Sequence, residues 1–109
     1  MHEFAFLFRP THAVDPADLP RRNAAARDWA LARRGEGTLR GASPLEDFGF
    51  TVSQQAVTLL PPDHAVASVL IIEAPDLESA VTLAKSHPGL AFGTEIEVRP
   101  VKAVAPPPP

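Results

Sequence analysis

The chain has 109 residues, a formal net charge of −3, 45% hydrophobic and 21% charged residues, and no cysteine. That length suits one domain, able to bury roughly 60–70% of the surface its unfolded form exposes. The mild acidity and the lack of any Lys/Arg block speak against nucleic acid and against a membrane surface, while the missing cysteines exclude disulfides, thiolate catalysis and cysteine-built zinc sites.

Phe4, Phe6 and Phe8 recur at every second residue with Ala5 and Leu7 between them. This predicts a strand that is apolar on both faces, ended by Arg9 and Pro10. The opening "MHEFAFLFRP" is too brief for a signal peptide and has no basic leader. The longest apolar run, "AVASVLII", falls far short of the roughly 20 residues a membrane span needs, so a reduced, cytoplasmic protein is the expectation. "VDPADLP" is turn chemistry, with Asp18 and Pro20 placed to start a helix. The alanine-rich "RRNAAARDWALARRGEG" then runs to Gly35 and Gly37, a helix stop. On a helical wheel Ala25, Trp29 and Ala32 form one stripe flanked by Arg22 and Arg33, with Leu31 outside it.

"TLRGASPL" reads as a short strand broken by Gly41 and Pro44. "FGFTVS" and "AVTLL" read as strands joined at Gln54–Gln55, and "PPDH" breaks the chain again. In "HAVASVLIIEA", Val69 and Ile71 face one way and Leu70 and Ile72 the other, a strand signal. Asp76 is placed to cap a helix over "LESAVTLAKS", with Leu77, Ala80, Val81 and Ala84 on one face and Lys85 in its last turn. "HPGL" ends that helix, "GTEIEVRPV" forms the last strand, and "APPPP" is a tail without core-forming capacity. The domain is therefore residues 1–103 and the tail 104–109.

The expected order is β-α-β-β-β-α-β, an antiparallel or mixed sheet with two helices. The first strand and the strand through Val69–Ile72 are apolar on both faces, yet two helices cover only one face of a sheet. At about 25 cal/mol per Å² of apolar surface, an uncovered second face forgoes many kcal/mol and invites aggregation. The simplest cover is a second copy, sheet against sheet, which predicts a homodimer.

"EGTLRGASPL", "VLIIEAPDLESAVTLAKSHPGL" and "GTEIEVRPV" together resemble the YCII-related family, in particular its DGPF-type branch, over residues 3–102. The resemblance implies an α+β, ferredoxin-like antiparallel sheet with two helices on one face, forming a dimeric α+β barrel. It also implies a histidine at position 26 and an aspartate at position 87, just before Pro88, in the enzymatic relatives. This chain has Ala26 and His87 there, so the His–Asp dyad is lost at both members, and proton abstraction or dehydrohalogenation by that pair does not carry over. The DGPF signature is absent; only "PPDHAV" stands in its place.

Several residues have a functional and a plain reading side by side. Glu95, Glu97 and Arg99 alternate with Ile96 and Val98 and project from one face. They either line a dimer pocket, one carboxylate kept protonated by its neighbour, or form a wet strand face with a Glu97–Arg99 pair worth under about 1 kcal/mol. His12, near Arg9 at the exit of the first strand, is placed to bind a small anion or act as acid or base, against the ordinary reading of a solvated loop histidine. With Arg9, Glu97 and Arg99 it makes the one set able to replace the missing dyad. Trp29 either stacks on a ligand in the space Ala26 opens or anchors the core.

His64 and His87 lie beside prolines without ligand spacing, so no metal is expected. Arg21, Arg22, Arg27, Arg33 and Arg34 are interspersed with Asp18, Asp28 and Glu36, which favours a solvated face over phosphate recognition. There is no phosphate loop, nucleophile elbow or HExxH helix, and no cofactor is expected. Two functions remain open. One is a small-ligand-binding or accessory homodimer, with a regulatory protein as a possible further partner. The other is a cofactor-free isomerase, lyase or monooxygenase-like enzyme acting on a small acidic or aromatic substrate in the dimer pocket.

Overall fold

A computed structural model of the chain describes residues 1–61 and 65–102; His64 and the proline tail lie outside the described residues. Strand β1 (His2–Pro10) leads through a 3₁₀ turn, Pro16–Asp18, into helix α1 (Leu19–Gly35). Strands β2 (Leu39–Pro44), β3 (Phe50–Val52), β4 (Val57–Leu59) and β5 (Ser68–Ala74) follow, then helix α2 (Leu77–Lys85), a 3₁₀ turn at Pro88–Phe92, and β6 (Thr94–Pro100). Four strands separate the helices, one for each of the four segments read as strands and one more than the order β-α-β-β-β-α-β counts; β3 and β4 pair only with each other as a separate two-stranded sheet. The main sheet has the order β2-β5-β1-β6, and its three strand pairs are all antiparallel.

The register sorts the apolar residues. Phe4 pairs with Ile72 and Phe6 with Leu70, and on the other side Phe6 pairs with Val98 and Phe8 with Ile96, so these side chains share one face. Trp29 of α1 and Ala80 and Ala84 of α2 pack into the same core, so both helices cover that face. Phe6 and Ile72 are completely sealed. The opposite face carries Ala5 and Leu7 of β1 and Val69 and Ile71 of β5, all half-buried with no helix among the described residues over them. The β3–β4 hairpin is barer still: Phe48, Phe50, Val52, Val57 and Leu59 are each exposed by 64% or more.

Local chemistry explains the helix ends, with some corrections. Asp76 caps α2 as its position predicts, Oδ1 accepting from the Ser79 N–H at 2.7 Å. Those bonds to Ser79 hold the carboxylate below its usual range. Asp18 stands at the α1 entry but makes no cap bond there and pairs with Arg21 at 3.1 Å instead. Asp15 caps the preceding 3₁₀ turn, accepting from the Ala17 N–H at 3.0 Å. The inward stripe of α1 is rotated from the expected one. Ala32 is exposed, whereas Arg22, Ala26, Ala30 and Arg33 sit half-buried around the buried Trp29. On α2, Ala80 and Ala84 are buried, but Leu77 and Val81 lie on the exposed margin, since a nine-residue helix presents only a narrow stripe to the sheet.

Candidate functional site

Ala26 and Ala30, small side chains on α1, leave space beside the sheet. The result is a cleft of about 480 Å³ with Phe8 and Leu70 beneath and the ends of β2 and β5, at Pro44 and Ser68, along one side. Arg22, Asn23 and Arg27 border it from the first half of α1. Arg22 donates from Nε and Nη2 to Asn23 Oδ1 at 3.2 and 2.9 Å. Among the described residues neither Arg22 nor Arg27 has a carboxylate partner. A mostly apolar floor beneath two guanidiniums suits a compact organic anion.

His87 borders this cleft; it lies in the loop before Pro88, as its position predicts, but is buried there. It is only 8% exposed, the one buried polar or charged residue among those described. The Phe8 and Trp29 rings meet it edge-on, with centroids 4.7 Å away in each case. Its Nδ1 accepts a hydrogen bond from the Gly89 N–H at 2.9 Å, capping the Pro88–Phe92 turn. Burial disfavours the imidazolium and lowers its pKa to about 4, so the ring is neutral at physiological pH. Because Nδ1 must offer a lone pair to Gly89, the proton of that neutral ring resides on Nε2.

Trp29 forms the wall behind His87. Its indole N–H donates to Ser86 Oγ at 2.9 Å, which supplies the partner a buried indole requires, and the Arg33 guanidinium lies 5.7 Å from its ring centre. Trp29 is thus a core anchor one ring removed from the cleft, which it does not line.

The other residues singled out in the sequence assemble elsewhere. Arg9, Glu95, Glu97 and Arg99 project from the open face of the sheet, as their alternation predicts. Glu97 holds the group together, with Arg9 Nη1 at 2.7 Å and Arg99 Nε at 3.7 Å. Glu95 stands opposite Arg9 in the strand register. His12 is exposed beyond the end of β1, with Nδ1 3.0 Å from Ala13 O. Its ring lies over Gly93, whose φ of +81° and contact with that ring leave no room for a Cβ. None of these five residues lines the α1 cleft. Among the described residues no group of three or more His, Asp or Glu is placed to hold a metal, and no helix is long and apolar enough to cross a membrane.

The sequence carried two signals for His87: the resemblance that set it with Ala26 at the dyad positions, both of which border this cleft, and its position before a proline at a helix exit. What makes it distinctive, three aromatic rings brought together from β1, α1 and the turn after α2, depends on contacts between residues far apart in the chain.

Two helices on one face of an antiparallel sheet, with a cleft under the first helix, define an α+β protein with the fold of muconolactone isomerase. No family model matches the chain, and no curated protein matches it. Among solved structures it is similar to a muconolactone isomerase, with a TM-score of 0.62 and 17% identity, 94% of this chain and 90% of that one being covered. It is also similar to 5-chloro-2-hydroxyhydroquinone dehydrochlorinase (TftG) from Burkholderia phenoliruptrix AC1100, solved with 2,5-dihydroxybenzoquinone. There the TM-score is 0.50 and the identity 18%, with 87% of this chain and 90% of that one covered. At such identities the likeness is one of fold.

Proposed function

We propose that the chain is a cytoplasmic, homodimeric small-molecule-binding protein, related to the DGPF-type branch of the YCII-related group, whose ligand is a compact organic acid with an apolar body. The observation that carries this reading is the α1 cleft, an apolar hollow of about 480 Å³ bordered by two guanidiniums without acidic partners among the described residues. Its volume falls within the range of small-ligand sites. In the dimer the open sheet faces meet through Leu7, Val69 and Ile71. The charged strip of Arg9, Glu95, Glu97 and Arg99, on or beside the edge strand β6, then forms a polar rim where a ligand or a regulatory protein can be met.

Calorimetric titration with cyclohexanecarboxylate tests the ligand. Binding is expected in the wild type and is lost when Ala26→Phe fills the cleft; binding that survives this substitution removes the cleft from the function. Sedimentation tests the assembly, and a stable monomer at micromolar concentration would sink the dimer.

A second reading is supported by the two similar structures, one called an isomerase and the other a dehydrochlorinase. On this reading the chain is a cofactor-free enzyme for a small acidic or aromatic ring substrate, with His12 and Glu97 as candidate proton-transfer groups at the dimer pocket. Turnover that collapses in His12→Ala supports it, and a wild-type rate in that variant removes His12 as the base.

A further inference from the structure

The two nitrogens of His87 face different tasks. Nδ1 is occupied by the Gly89 N–H. Nε2 makes no hydrogen bond to any described residue, and it is not among the sealed, partnerless side-chain nitrogens and oxygens of those residues, of which Arg33 Nε is the only one. The open space bordering His87 is the cleft. With Nδ1 turned to Gly89, the proton-bearing Nε2 is the nitrogen left for that space, and no described residue accepts from it there. Leaving a donor unmatched in such surroundings costs free energy that a ligand oxygen recovers. The Phe8 and Trp29 rings fix the imidazole on two sides, so the donor is held in direction as well as in tautomer.

We propose that His87 Nε2–H is the ligand-reading donor of the cleft, and that the ligand is a keto acid or other acid with a second, uncharged oxygen. Its carboxylate lies toward Arg22 and Arg27 at the border, its carbon body rests on Phe8 and Leu70, and its carbonyl oxygen accepts from His87. A neutral imidazole donor favours an uncharged carbonyl there, since a second carboxylate would enter an apolar pocket without a counter-charge. Ser68 and Thr94 also border the cleft. Their hydroxyls can donate or accept, whereas neutral His87 with Nδ1 engaged can only donate.

This inference rests on the small-acid reading of the cleft, and the test separates the two. The probes are 4-oxocyclohexanecarboxylate and cyclohexanecarboxylate, which differ in the ketone. The wild type is expected to bind the keto acid about tenfold more tightly, the worth of one well-placed hydrogen bond. In His87→Asn the side-chain oxygen keeps the cap on Gly89 while Nε2–H is lost, so the two acids are expected to bind alike. A measurement on the wild type alone guards against a folding defect in the variant. In histidine-¹⁵N-labelled protein, the Nε2–H resonance of His87 is expected to move downfield with the keto acid and to stay nearly in place with the other. Equal affinities in the wild type, a preference retained in a folded His87→Asn, or an unmoved resonance with bound keto acid would overturn the role of His87 and leave the cleft reading standing. Failure of both acids to bind at millimolar concentration would overturn the cleft reading, and this proposal with it.

Discussion

On one face of the main sheet Phe4, Phe6, Phe8, Leu70 and Ile72 are sealed beneath two helices; on the other, Ala5, Leu7, Val69 and Ile71 of the same two strands remain half-buried beside a chain of charges. Both faces hold polar groups, but in different states. Arg9, Glu97 and Arg99 satisfy one another in solvent, where such pairs contribute little. His87 is fixed among aromatic rings, neutral, with Nδ1 engaged and the residue bordering a cleft. The contrast teaches that a concentration of charge in the sequence does not locate the group most altered by its surroundings. Enclosure does, because removal from water is what shifts a protonation state and leaves a donor in need of an acceptor.

The sharpest way to break this contrast is to cut matched side chains from the two faces. Phe6→Ala should lower stability by about 4 kcal/mol, since a sealed ring leaves a cavity the sheet cannot close. Leu7→Ala, one residue along, should cost distinctly less and in a way that depends on protein concentration if a second copy covers that face. Denaturant unfolding at two concentrations measures both, and equal, concentration-independent losses would erase the difference between the faces.

Acid sharpens the comparison next. His87 has a folded pKa of about 4 against an ordinary 6.5. Between those values the unfolded chain binds the proton and the folded chain does not. Its contribution is therefore complete above about pH 6.5 and declines as pH falls toward 4, by about 3 kcal/mol in all. Stability measured from pH 7 to pH 4 should show this slope in the wild type and a shallower one in His87→Asn. An unchanged slope would mean that the imidazole is not held neutral.

Smaller effects probe the supports of each face. Ser86→Ala removes the acceptor of the Trp29 indole N–H and should cost about 1 kcal/mol, read by thermal unfolding together with a shift in tryptophan emission. Arg9→Ala breaks the 2.7 Å pair with Glu97 and should change monomer stability by less than about 1 kcal/mol, falling further in high salt. A larger, salt-insensitive loss would show that the open face is far drier than its exposure implies.

Much of the architecture was legible in local patterns. Alternating phenylalanines, the Val69–Ile72 run and the "TEIEVRP" alternation marked β1, β5 and β6, and Asp76 marked the entry of α2, because strand period and capping act over a few residues. The excess of two-sided apolar strands over covering helices was equally visible. Less visible was which side of α1 turns inward, since an alanine-rich helix has several nearly equivalent faces. Trp29 fixes its rotation only once Ser86 and His87 stand against it. The β3–β4 pair was legible as two strands joined at Gln54–Gln55, but its separation from the main sheet was hidden, because short apolar strands carry no label for the sheet they join.

By itself the sequence determined two helices, an antiparallel or mixed sheet, a polar strip on β6 and the absence of cysteine chemistry, all of which follow from residue type and short-range period. Only the tertiary structure decided that His87 is buried and neutral with Nδ1 tied to Gly89, and that the space expected at Ala26 is a cleft bordered by His87. Burial is a property of what distant segments bring to a residue: Phe8, Trp29 and His87 lie far apart along the chain and share one environment only when β1, α1 and the turn after α2 have packed.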